Sequence, residues 1–222
     1  MREAVVSLHG LWMTGLEMRL LRTRLQLRGY EPYPFRYPSV RRSPRANAQV
    51  LRAFVDRIDA EVVHFVAHSL GGLVVLHLFD LAPLQRPGRV VMLGSPLAGS
   101  RAARRVAQWP LLGRALLGAS LSGGLQGDVP PWQAGRELGV VAGTGNTLGV
   151  GRLFGGPLPR PHDGTVALSE TRAPTCRVIS KCLAGILVCC SGRMSRRRWP
   201  IFCVRGYSLA ARGRLSVERA GA

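Results

Sequence analysis

The residues best placed for chemistry lie in the stretch VVHFVAHSLGGLVVLHLF, residues 62–79. Its first part is a short β-branched run that reads as a buried strand. Its last part is an apolar run long enough for a buried helix. Ser69 stands at the junction, inside Ala67-His68-Ser69-Leu70-Gly71. A serine squeezed between a strand and a helix must take a tight, strained turn that lifts its hydroxyl above the sheet. Small residues two before and two after it let the two elements close up, and here they are Ala67 and Gly71. The new helix also points N–H groups and a positive dipole end at that hydroxyl. These are the requirements of an alcohol nucleophile attacking an acyl carbon. The competing reading is a serine that only caps the helix.

Three other stretches accompany it. HGLW (9–12) follows an apolar run at 3–8, GSPLAGS occupies 94–100 and HDGTV occupies 162–166. In their order and spacing the four stretches resemble the α/β-hydrolases, and within them small bacterial lipase- and esterase-like members, over residues 1 to about 172. The resemblance implies an α/β-hydrolase-type, mostly parallel sheet with helices on both faces. It implies that Ser69 attacks an ester carbonyl and that the backbone N–H groups of Leu11 and Leu70 hold the oxyanion. It implies that Asp163 orients the base, although an aspartate before Gly164 also suits a plain turn. The activity implied is that of a serine carboxylic-ester hydrolase of the esterase or lipase type, working through an acyl-serine. The substrate would be a small-molecule acyl ester or lipid, with acyl transfer left open and no cofactor required. A non-catalytic hydrolase-fold protein that binds an acyl or lipid ligand is the alternative.

The family's chain order, serine then acid then histidine, fails here, because no histidine follows Asp163. His162 adjoins Asp163, which is poor geometry for being oriented by it. His9 reads as a loop-shaping residue and His68 as the elbow position that points away from the hydroxyl. His64 and His77 lie in apolar surroundings, where most such residues are hydrogen-bonded core. With no cysteine before residue 176, these side chains offer no convincing metal set.

The elements that must position these groups are legible as alternating apolar strands and helices, the pattern of a parallel sheet covered on both faces. Strands are expected at 3–8, 62–67, 89–95 and 137–143, with EPYPFRYPS demoted by Pro32 and Pro34 to an edge or bent strand. LEMRLLRTRLQLRG reads as a helix with Leu16, Leu20 and either Leu21 or Leu25 inward and Gly29 at its stop. Ser43-Pro44 opens another, with Val50, Leu51, Phe54, Val55 and Ile58 as its apolar face. Residues 98–135 form either a lid over the site, with Trp109, Leu111, Leu112, Leu116 and Leu117 as a greasy underside, or ordinary packing against the sheet.

Something changes near residue 175. Residues 176–222 hold nine Arg and the single Lys against one acid, Glu218, so nearly half of the net charge of +19 lies there. All five cysteines, Cys176, Cys182, Cys189, Cys190 and Cys203, lie there too. A basic chain ordinarily suggests a nucleic-acid or anionic-membrane partner, but this uneven distribution argues against both, and the arginines lack a motif or groove element for nucleic acid. Residues 1–172 are therefore expected to form the core, and 173–222 a basic Cys/Arg-rich tail that is not natively folded. Codons exist for KCLAGILVCC whose bases, read two positions on, spell VPGRHSGLLF, which resembles the family's base-bearing loop. On that reading the tail is an out-of-frame translation, the sheet lacks its last strand and helix, and activity is impaired. The N-terminus has no apolar stretch of signal-peptide length. LAGILVCC (183–190) is far short of the ~20 residues a bilayer needs. A soluble, cytoplasmic protein of unspecified oligomeric state, without an integral membrane segment, is the expectation.

Overall fold

The computed structural model describes residues 2–83, 85–145, 156–172 and 178–182, the last five as backbone. A six-stranded parallel sheet organises them. Its strands are β1 (Glu3–Leu8), β2 (Glu31–Phe35), β3 (Val62–His68), β4 (Val90–Leu93), β5 (Leu138–Gly143) and β6 (Val178–Cys182), in the order β2-β1-β3-β4-β5-β6. The helices are α1 (Arg19–Gln26), α2 (Pro44–Asp56), α3 (Leu70–Leu81), α4 (Arg101–Ala107) and α5 (Gly113–Leu117). No helix among the described residues is long and apolar enough to cross a membrane.

The sequence explains each placement. β2 lies at one edge, where prolines that cannot donate to a ladder are tolerated. Its Pro32 and Pro34 sit opposite Val5 and Ser7 of β1. Ser43 caps α2 by accepting from the Ala46 N–H at 3.2 Å, with Pro44 in the first turn. Gly29 closes the α1 region at φ 89°, a conformation in which a side chain would be strained. α3 is buried from Leu70 through Phe79 because it is apolar all round and packs against both β3 and α2.

Successive residues of a strand face opposite sides of the sheet. Ala4, Val6 and Leu8 of β1 join Val63, Phe65 and Ala67 of β3 in the main core with α2 and α3. Val5, Val66, Leu93 and Val141 are equally buried on the alternate face. This alternation assigns His64 and His68 to the second face of β3.

Three local expectations change. The helix at 16–29 begins as a 3-10 turn, Leu16–Met18, and the inward ladder is Met18, Leu21 and Leu25. Leu16 and Leu20 are exposed, since the 18-21-25 spacing already fills that face. On α2, Leu51 and Val55 are inward with Asn47 and Ala48, whereas Val50 is exposed. The helix-like run after residue 100 is broken at Pro110, where the missing N–H and the ring separate α4 from α5.

β6 falls within the segment set apart from sequence as a tail, pairing parallel to β5 from Gly139↔Val178 to Gly143↔Cys182. The closing helix, the out-of-frame reading and residues 183–222 lie outside the described residues.

Candidate active site at the carboxyl ends of the strands

Ser69 occupies the junction of β3 and α3 with φ 50° and ψ −117°. For a residue with a Cβ this is sparsely populated backbone, which persists only where the surroundings impose it. The surroundings are crowded. A Cβ added at Gly71 would come within 2.8 Å of both the His9 carbonyl oxygen and Leu8 Cβ. One added at Gly72 would come within 2.2 Å of Ser95 Oγ. Helix α3 can thus start only where glycine lets it slide against the ends of β1 and β4. Ser69 itself is half-buried, and its N–H is held by the Leu93 carbonyl at 2.9 Å.

The HGLW loop lies against this turn. A Cβ at Gly10 would be 3.2 Å from Ser69 Cβ and 3.1 Å from His68 Nδ1, so glycine is what lets the loop approach the serine. The loop is anchored at His9, whose ring stacks on Tyr37 at 4.3 Å between centroids. The Tyr37 hydroxyl donates to the His9 carbonyl at 2.6 Å, and the Tyr37 N–H to His9 Nε2 at 3.3 Å. Trp12 turns the loop with φ 59°. Leu11, half-buried against the core, and Leu70, in the first turn of α3, are therefore neighbours of Ser69 through Gly10 and through the chain. First-turn helix N–H groups have no intrahelical acceptor, which leaves Leu70 N–H suited to an incoming anion.

His68 Nδ1 lies beside the Gly10 loop, 3.1 Å from where a Cβ on Gly10 would sit. It is buried without a hydrogen-bond partner, 4.0 Å from Glu17 Oε1, which is likewise buried and unbonded. Burial, with His9 nearby, pulls the His68 pKa down to about 4, so the ring is neutral near pH 7. His9 is lowered as well, chiefly by burial. Glu17 is a site neighbour that no motif announces. Its only sequence signal is that it is the sole acid between Glu3 and Glu31.

Asp163 is buried, in the loop between β5 and β6. Its Oδ1 accepts from the Thr165 and Val166 N–H groups at 2.8 and 2.7 Å, so it closes a turn whatever else it does. Burial raises its pKa against the opposing pull of those two bonds and of His162. His162 is buried beside it, with Nδ1 accepting from the Gly164 N–H at 3.0 Å. Glu170 stitches this loop to the segment after β4. Its Oε1 accepts from the Arg101 N–H at 2.6 Å and its carbonyl from the Ala98 N–H at 2.9 Å.

The remaining histidines are core. His64 bonds Glu3 at 3.3 Å and accepts from the Arg89 N–H at 3.0 Å, and His77 Nε2 bonds the Gly123 carbonyl at 2.5 Å. Among the described residues no group of three or more His, Cys, Asp or Glu could hold a metal. In the segment after β4, Leu117 is buried but Trp109, Leu111, Leu112 and Leu116 are exposed.

A parallel sheet, a strained serine between its central strand and a buried helix, and a glycine loop beside that serine define an α/β-hydrolase-type fold. The chain matches the family described as "Alpha/beta hydrolase family" over residues 5–209, and it belongs to that family. Its fold is similar to the mature form of the Bacillus licheniformis lipase BlEst2, with a TM-score of 0.66 at 18% identity, covering 86% of this chain and 88% of that one. It is also similar to the metagenomic carboxyl esterase MGS0156, with a TM-score of 0.57 at 18% identity, covering 84% of this chain and 65% of that one. A third similar structure is the Paleococcus ferrophilus monoacylglycerol lipase, with a TM-score of 0.52 at 16% identity, covering 81% and 83%. No curated protein matches this chain in sequence.

Proposed function

We propose that the protein is a serine carboxylic-ester hydrolase in which Ser69 Oγ attacks the ester carbonyl and forms an acyl-serine. The observation that carries this reading is the backbone of Ser69, strained at φ 50° and half-buried beside Gly10. Strain of this kind is retained at functional turns rather than at ordinary helix caps, and Ser69 makes no side-chain capping bond to α3. The N–H groups of Leu11 and Leu70 stabilise the oxyanion, a role in which losing one donor typically costs about 10²–10³ in rate. Asp163 stands in the position of the triad acid, awaiting a histidine that the sequence does not supply after it. The similar folds carry names of lipases and esterases, which favours an acyl ester as substrate.

The sequence supplies no histidine after Asp163. A serine hydroxyl without its base stays protonated near neutrality, so turnover falls far below that of a complete triad. This absence favours the second reading, a hydrolase-fold protein that binds an acyl or lipid ligand without turning it over. A fluorophosphonate probe separates the two. Labelling that disappears in Ser69→Ala supports the hydrolase, while an unlabelled Ser69 in folded protein supports the binder.

A further inference from the structure

Large apolar side chains exposed singly on a surface are ordinary, but contiguous ones mark a contact. Among the described residues, Trp109, Leu111, Leu112 and Leu116 crowd one short segment around the α4–α5 break. Trp12 joins them, since its indole N–H donates to the Leu116 carbonyl at 2.9 Å and it is 47% exposed. Leu111 is the extreme case, 99% exposed on backbone at φ 63°. A leucine gains nothing locally from full exposure in a conformation that disfavours a branched side chain.

These residues are not the inward face of the segment. Val106, Gly113, Leu117, Leu121 and Leu125 take that role and are buried. The inward side is also tied down. The Ala119 N–H donates to the Val40 carbonyl at 2.8 Å, and a Cβ on Gly113 would meet the Val106 carbonyl oxygen at 1.9 Å. The leucines at 111, 112 and 116 therefore form a second, outward apolar surface on an element whose core face is already satisfied.

Charge selects what this surface would meet. No acidic residue occurs from Leu81 through Gly127, whereas exposed Arg101 and Arg114 flank the apolar residues, with Arg104 and Arg105 between them donating to the Gln126 and Pro157 carbonyls. Leucines and a tryptophan set among arginines, on a stretch that itself carries no acid, match an anionic bilayer surface. There the apolar groups enter the acyl boundary and the guanidinium groups stay at the headgroups. The uneven charge of the chain as a whole conceals this local match.

We infer that the Trp109–Leu116 segment docks the protein on an anionic lipid bilayer, with Leu111 and Leu112 inserted and the flanking arginines held to the headgroups. The inference is independent of the chemistry at Ser69, so it is tested on full-length Ser69→Ala protein. Sedimentation with vesicles of phosphatidylcholine, with and without phosphatidylglycerol, reads the partition coefficient. The expected result is preference for the anionic vesicles that weakens with added salt. Leu111→Asp with Leu112→Asp lowers the partition by about tenfold or more. Arg101→Glu with Arg114→Glu removes the anionic preference. Asp tolerates the left-handed region better than leucine, so thermal melts of the first pair verify that the fold is kept. Equal binding to neutral vesicles, or none to either, overturns the inference. Binding that survives the leucine substitutions overturns it in favour of the Arg-rich C-terminal residues. A dimer in sedimentation velocity that those same substitutions dissociate overturns it in favour of a second copy of the chain.

Discussion

His64 and His68 lie on the same strand and the same face, at its two ends, and the sheet treats them oppositely. At the amino end both nitrogens of His64 are engaged, one by Glu3 and one by the Arg89 N–H. Around it Arg89 pairs with Glu137 at 2.7 Å, and Arg86 donates to the carbonyls of Val55, Ile58 and Ala60. Arg136 donates to the Val63 and Arg86 carbonyls and lies over the Phe79 ring at 4.7 Å. At the carboxyl end His68 Nδ1 and Glu17 Oε1 face each other at 4.0 Å unbonded, Ser95 Oγ is buried without a partner, and Ser69 and Trp12 hold strained backbone. One end satisfies its polar groups and stabilises the fold. The other carries strain and unmet polar atoms, which is where an open α/β sheet puts its chemistry.

Substitutions should separate the two ends. The largest effect expected is from Ser69→Ala, which abolishes fluorophosphonate labelling, read by gel fluorescence, while thermal stability is kept, since alanine retains the same strained backbone.

Acid comes next. His68 carries a folded pKa of about 4 against 6.5 in the unfolded chain, so unfolded protein binds the extra proton. The full stability is present above pH 6.5 and is lost as the pH falls towards 4, on the order of 3 kcal/mol for this one group. His9 and His64, also lowered by burial, act in the same direction. Asp163, whose pKa is raised, acts in the opposite one. Urea melts between pH 4 and 7 should show the loss, and His68→Asn should flatten it.

Arg136→Ala should cost about 2–3 kcal/mol in urea melts, because it leaves two carbonyls short of a charged donor. It should leave labelling per folded molecule unchanged, since it acts at the far end of the sheet. Gly71→Ala should cost less, about 1–2 kcal/mol. It should nevertheless slow labelling, because the added methyl pushes α3 away from the His9 loop. Equal labelling by these two variants would break the distinction between the ends.

Much of this molecule is legible residue by residue. Local pattern marks β1, β3, β4 and β5 as apolar runs, Ser43-Pro44 as a helix start, Gly29 as a stop, and Ser69 as the junction of strand and helix. The signals are local because backbone conformation, capping and side-chain alternation act over a few residues. The inward ladder of the first helix is less legible. Leu16, Leu20, Leu21 and Leu25 are equally apolar, and only the surface they meet chooses Leu21 and Leu25 with Met18. The polar pairings are not legible at all. His9–Tyr37, Glu17–His68, Arg136–Val63 and Glu170–Arg101 join residues 28, 51, 73 and 69 positions apart. No short-range pattern encodes such partners.

By itself, then, the sequence determined a parallel α/β architecture and the turn that presents Ser69, since both follow from short-range sterics and hydrophobic alternation. Tertiary structure alone decided what surrounds that turn. It brought Gly10 against Ser69, turned His68 towards Glu17, and left Leu111 outward while Leu117 went in. The reason is physical: burial and hydrogen bonding depend on which distant surfaces meet, and those surfaces exist only once the sheet has assembled.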